Sequence, residues 1–200
     1  MMRSAISSAL ITVALAGSGF AQNRFSQEEL LGLPRVCLAQ KFINSALRTP
    51  VVPESERIQW AQRLGATYES FHHFCWGLID MRRASGADPS AQKGHYMNAV
   101  ANFGYVERNA DSSFPMLPEV LLRKGMALRL LGRDAEAATG FSDAIRVKPD
   151  YTPAYAALVD LYVDLDDPDG ARDLLEQGLR EAPQSNILRS KKVELEALSK

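Results

Sequence analysis

Cysteine is scarce in this 200-residue chain: only Cys37 and Cys75 are present, and no Cys-x-x-Cys pair exists. Histidine is nearly as rare, with His72, His73 and His95. Charge of one sign is also missing. Lysine plus arginine number 23 against 24 aspartate plus glutamate, for a net charge of -1 without a basic cluster. That balance excludes nucleic acid as the main partner, because phosphate binding needs a concentrated cationic footprint. There is no Gly-x-Ser-x-Gly elbow, no phosphate-binding glycine loop and no EF-hand loop. Long apolar runs are absent except Ala5–Ala16, which is shorter than the about 20 residues a membrane-spanning helix needs. What remains is 46% hydrophobic and 24% charged, the make-up of an ordinary globular chain with a proper core.

The single apolar run belongs to a three-part pattern. Arg3 precedes it, and Gly19, Phe20 and Ala21 follow with small residues at cleavage positions. Residues 1–21 therefore read as a secretory signal peptide cleaved after Ala21, with an uncleaved membrane anchor as the alternative. The expected location is periplasmic or secreted, without stable membrane insertion after cleavage. An even pair of cysteines in an exported chain points to a Cys37–Cys75 disulfide. Its loop of about 40 residues corresponds to roughly 3 to 4 kcal/mol in the chain-entropy account. Two buried thiols at helical core positions are the alternative.

The strongest pattern lies between Pro118 and Ser185. Leu121, Gly125, Leu128, Ala137, Phe141, Ala144 and Pro149 return 34 positions later as Tyr155, Val159, Tyr162, Ala171, Leu175, Gly178 and Pro183. Each block holds two apolar stripes at helical spacing, so each predicts a helical hairpin. Gly132 is placed to end the first helix, with Asp134 as N-cap of the second, and Asp166, Asp167 and Pro168 take over those duties in the second block. Ala137 and Ala171 mark close helix contacts. One such hairpin cannot bury both faces, so the blocks must stack.

This pattern resembles the tetratricopeptide repeat. The resemblance implies an all-α helical-hairpin solenoid whose first helices line a concave groove that binds another protein or peptide segment. It places Glu119, Leu122, Met126 and Arg129 in that groove from one block, and Ala156, Asp160 and Val163 from the next. Ile187, Ser190 and Glu194 extend it. Leu122 and Met126 either receive an apolar side chain of the partner or pack against the preceding hairpin. Family members that clamp a terminal carboxylate use lysine, asparagine and arginine on these faces. Leu122, Met126 and Ala156 stand in comparable places here, a pattern that does not fit that clamp.

Upstream, residues 22–117 read as a degenerate helical region. Gln27–Leu47 predicts one or two helices broken near Pro34, and Glu54–Leu64 predicts a short one. Tyr68, Phe71, Phe74, Cys75, Leu78 and Ile79 predict a helix over 68–84 with Cys75 on its buried side. Tyr96, Ala99, Val100, Phe103 and Val106 predict a second over 91–110. Ala99 and Phe103 are spaced like Ala137 and Phe141, so 68–110 reads as a degenerate repeat hairpin with a stretched connector. Residues 186–200 read as a polar-faced capping helix.

For chemistry the candidates are His72, His73 and Cys75. Adjacent helical histidines point about 100 degrees apart, and the three- or four-residue spacing of paired helical ligands is absent. A histidine resting on Trp76 or bonded to a carbonyl is the structural reading. No metal or cofactor is expected. The leading expectation is a non-catalytic scaffold of the cell envelope. Two alternatives are a metal-binding protein or enzyme using His72 and His73, and a self-association module whose groove is filled by a second copy or by the chain's own N-terminal segment.

Overall fold

Ser26 opens the first helix with a reciprocal cap: its hydroxyl accepts from the Glu29 N–H while the Glu29 carboxylate accepts from the Ser26 N–H. The computed structural model describes residues 25–198 except Arg48 and Pro50. The leader at 1–21 and its cleavage position lie outside the described residues.

The segment from Gln27 to Leu47 forms three short helices rather than one or two: α1 (Gln27–Leu31), α2 (Arg35–Leu38) and α3 (Lys41–Ala46). Pro34 sits just before α2, where its fixed φ suits a helix entry. The second break, at Ala39 and Gln40, has a tertiary cause. The Tyr68 hydroxyl donates to the Ala39 carbonyl at 3.0 Å, and Gln40 turns to extended geometry. α4 (Glu54–Leu64) follows Pro53 and stops at Gly65, whose φ of 54 is open to glycine.

A short 3-10 turn, Gly65–Glu69, then delays α5, which runs His72–Ser85 rather than from Tyr68. α6 (Pro89–Asn109) begins on Asp88, whose carboxylate accepts from the Ser90 and Ala91 N–H groups, with Pro89 in the first turn. α5 and α6 pack as the expected hairpin. Cys37 and Cys75 are joined, with Cα atoms 5.6 Å apart and both residues fully buried.

Downstream come α7 (Leu117–Leu130), α8 (Asp134–Val147), α9 (Thr152–Asp164), α10 (Pro168–Glu181) and α11 (Asn186–Leu198). Successive helices pack antiparallel, α7 on α8 and α9 on α10, and the hairpins stack in order. This is an all-α solenoid. Gly132 has φ 70 and the Arg133 N–H reaches back to the Leu128 carbonyl at 3.0 Å, a Schellman-type close. That closure consumes one residue more than expected, so Arg133 holds the cap position and Asp134 is the first helical residue. In the second block Asp166 takes the left-handed position at φ 58 and Asp167 caps Gly170 at 2.9 Å.

Close approach explains the small residues. A Cβ on Gly125 would lie 2.6 Å from the Phe141 ring, and one on Gly140 would lie 3.3 Å from the Gly125 Cα. A Cβ on Gly77 would lie 2.5 Å from the Phe103 ring. Gly77 and Phe103 are thus the counterparts of Gly125 and Phe141 in the degenerate hairpin. Their spacing is longer because both helices run farther toward the turn: α5 continues to Ser85 beyond Gly77, and α6 starts at Pro89, well before Phe103. Full burial of each such phenylalanine contributes about 1.5–3 kcal/mol. Val193 of α11 stands one further period beyond Gly125 and Val159. Among the described residues no second helix covers it, and it is 67% exposed, whereas Val159 is 1% exposed.

Candidate binding groove

The first helices of the hairpins, α5, α7 and α9, together with α11, form one wall of the solenoid. Gly77 and Gly125 are counterparts, so Phe74, Cys75, Leu78 and Arg82 of α5 stand where Leu122, Arg123, Met126 and Leu130 stand on α7. On α5 that face is occupied by the chain itself. Cys75 is bonded to Cys37, Leu78 shares a cavity with Gly32 and Val36, and Arg82 donates to the carbonyls of Glu29 at 3.1 Å and Gly32 at 2.7 Å. Arg83 adds a two-point ion pair to Glu29 at 2.5 and 3.0 Å, which draws the Glu29 carboxyl down to about 2.

Beyond this covered part the wall is open. Met126, Arg129 and Leu130 of α7 face Ala157, Asp160 and Asp164 of α9 across a cleft of about 550 Å3. Leu165 lines it as well, and Leu130 and Leu165 are 53% and 51% exposed. Arg129 pairs with Asp164 and reaches the Asp160 carbonyl at 3.4 Å. Lys191 of α11 pairs with Asp160 at 2.9 Å and with Glu194 at 2.5 Å, and these partners raise the Lys191 ammonium pKa. A ladder of ion pairs therefore crosses from α7 to α9 to α11.

The structure divides the expected groove residues. Met126, Arg129 and Asp160 share the cleft. Leu122 does not reach it: the residue is 5% exposed and belongs to the main core, so it packs within the fold and is not offered to a partner. Glu119 lines a different cavity, where it accepts from Arg123 at 2.7 Å and from the Tyr151 hydroxyl. Burial, and then that carboxylate, push the Tyr151 hydroxyl pKa well up. Val163 is half-buried against the core formed by α9, α10 and α11. Leu130 and Asp164 were not anticipated. The signal for them was local, since each lies four residues after an expected groove residue and so on the same helix face.

The histidines are engaged by protein groups. His72 meets Trp76 edge-on at 4.5 Å, its Nδ1 lies 2.7 Å from the Glu69 carbonyl, and burial lowers its pKa. His73 stacks on Tyr105 at 4.0 Å and bonds Asn102 at 2.9 Å. Asn102 donates to Asp80 at 3.2 Å, and Asp80 is 3.2 Å from His95, which closes a half-buried network between α5 and α6. Among the described residues no group of three or more His, Cys, Asp or Glu is arranged to hold a metal ion. The aspartates between positions 160 and 169 are dispersed: Asp160 and Asp164 sit in ion pairs, Asp167 caps a helix and Asp169 pairs with Arg172. No described helix is long and apolar enough to cross a membrane.

Residues 117–192 match the family model for the tetratricopeptide repeat. None of the curated proteins compared matches this chain. A thermophilic tetratricopeptide-repeat protein of Thermus thermophilus is similar in structure, with a TM-score of 0.56 and 20% identity over 70% of this chain and 71% of that one. The first tetratricopeptide-repeat unit of Spaghetti (RPAP3), bound to the HSP90 peptide SRMEEVD, aligns over 64% of this chain and 98% of its own at 17% identity, with a TM-score of 0.44. Only the first of these bears on the fold.

Proposed function

Since residues 117–192 belong to the tetratricopeptide repeat family, we propose that this chain is a non-catalytic interaction module that holds a segment of a partner protein in the α7–α9 cleft. The observation that carries the reading is the pair of exposed leucines, Leu130 and Leu165, beside half-buried Met126 in a cleft that the core does not fill. Apolar side chains left at a concave surface favour a partner over water. The Arg129–Asp164 and Lys191–Asp160 pairs supply both signs of charge along the rim, enough to orient a bound segment.

A role in the cell envelope is part of the proposal. It is supported by the leader pattern of residues 1–21 and by the Cys37–Cys75 bond, which suits an oxidising compartment. Intact mass of the exported protein is expected to lack the first 21 residues and two hydrogens; a retained Met1 would overturn the export reading.

A photo-crosslinking residue at Leu130 or Leu165 tests the binding site. Crosslinks to one partner are expected from these two positions and not from Ser142 or Gln177, which are exposed on the second helices. Equal crosslinking from Ser142 and Gln177 would move binding out of the cleft.

A further inference from the structure

A second cavity, at the seam between the N-terminal segment and the first repeat, carries charge that its own lining does not balance. It measures about 520 Å3. Phe74, Leu78, Met81 and Met116 give it an apolar floor, while Arg82, Arg123 and Lys148 stand against one carboxylate, Glu119. That carboxylate is already shared between Arg123 and the Tyr151 hydroxyl.

The other two cations are held without being neutralised in the cavity. Arg82 donates to two backbone carbonyls, which fix its guanidinium in place but carry no charge. Lys148 lies 5.8 Å from the Tyr151 ring centroid and 4.0 Å from Asp150, with about half of its side chain exposed. Glu29, whose backbone carbonyl receives Arg82, commits its carboxylate to Arg83. Arg82, held by its backbone contacts, and half-exposed Lys148, whose carboxylate neighbour is Asp150 at 4.0 Å, stand over an apolar floor and attract a ligand with carboxylates and an apolar side chain.

Resting on the interaction-module reading, we propose that this seam cavity binds an acidic peptide segment of the partner, one apolar side chain on the floor and flanking carboxylates at Arg82 and Lys148. A small inorganic anion would leave the floor unfilled. A nucleic acid finds no basic tract, since the chain's net charge is -1. The Lys148 side of the cavity lies at the turn from α8 to α9, and the cavity shares no lining residue with the α7–α9 cleft.

The test uses the oxidised full chain and a labelled hexapeptide, Asp-Glu-Leu-Asp-Glu-Gly, blocked at both ends so that no terminal carboxylate contributes. Anisotropy is expected to show saturable binding that salt weakens. Lys148→Glu and Arg82→Gln are each expected to weaken it about three- to tenfold, the scale of rim charge pairs. Changing the peptide's leucine to serine is expected to weaken it as well. Because Arg82 also holds the N-terminal segment, the Lys148 variant decides if Arg82→Gln loses helicity. Absence of binding, indifference to Lys148→Glu, or equal displacement by inorganic phosphate overturns the proposal. If Met126→Asp abolishes binding while Lys148→Glu does not, the acidic segment lies in the α7–α9 cleft, and the seam site falls while the module reading stands. Lys148-dependent peptide binding without any crosslink from Leu130 or Leu165 would instead retain the seam site and remove the cleft.

Discussion

The two halves of this solenoid solve the same packing problem with different means. The repeats from α7 to α10 bury Phe141 against Gly125 and Tyr155 against Gly178, with Leu175 buried in the same stack. The α5–α6 hairpin uses the same glycine-against-phenylalanine contact, Gly77 on Phe103, yet it is also tied by a disulfide, a two-point ion pair and a polar network. Irregular short helices bury little on their own, so α1 to α3 rely on those ties to stay on α5. The difference carries through to function. The tied half has part of its groove face covered by its own chain, with the seam cavity left beside that cover, and the stacked half leaves its face open.

The comparison breaks most directly at the staple. Replacing Cys37 and Cys75 by alanine is expected to lower unfolding stability by about 3 kcal/mol, read from urea denaturation. Hydrogen exchange should quicken in α5 and α6 while amides of α8 and α10 keep their protection. Equal loss in both halves would make them one cooperative unit.

Next in size are the matched glycines. Gly77→Ala and Gly125→Ala would each drive a methyl group into a phenylalanine ring, and each is expected to cost about 1–3 kcal/mol. Ala171→Leu, at a fully buried helix contact, belongs to the same range. A tolerated Gly77→Ala beside a damaging Gly125→Ala would show that the degenerate hairpin can give where the repeat cannot.

Acid should loosen the tied half first. Glu29 is held at about 2, below its ordinary 4.5, mainly by Arg83. The stability this provides is therefore complete above about pH 4.5 and is lost as the pH falls toward 2. For a partly exposed pair the expected amount is about 1 kcal/mol. Glu29→Gln should flatten that part of the acid titration, and an unchanged curve would show that the pair does not secure α1.

The smallest effect sharpens the repeat itself. Asp166→Gly is expected to raise the melting midpoint, with at most about 1 kcal/mol gained, because it relieves a left-handed aspartate. Gly132→Ala should lower it by a similar amount. A fall on Asp166→Gly would mean that the aspartate side chain matters more there than backbone freedom.

How far the sequence revealed this arrangement depends on whether the signal was local. The α7–α10 hairpins were legible because Leu121, Gly125 and Phe141 have counterparts in Tyr155, Val159 and Leu175 one period on, in helices of nearly the same length. Gly77 was not recognisable as a partner of Phe103, since α5 and α6 both run farther toward their turn and so change the spacing. The break after α2 is also hidden, because its cause is a hydroxyl from Tyr68, far along the chain. Helical periodicity put Met126 and Asp160 on the helix faces that line the α7–α9 cleft. It could not tell Met126 from Leu122, whose burial depends on the neighbouring hairpin. The seam cavity was invisible to any motif, as Arg82, Arg123 and Lys148 come from three separate segments.

The ion pairs from Arg129 to Asp164 and from Asp160 to Lys191 follow one another along the inner wall. Each bridges one helix of that wall to the next, while Leu128, Leu158 and Leu161 are buried in the core behind them. Their pull weakens as the screening length shrinks from about 8 Å at physiological ionic strength to about 3 Å in molar salt. Molar salt is therefore expected to weaken the polar bridges of the inner wall while leaving the buried leucine contacts behind them intact.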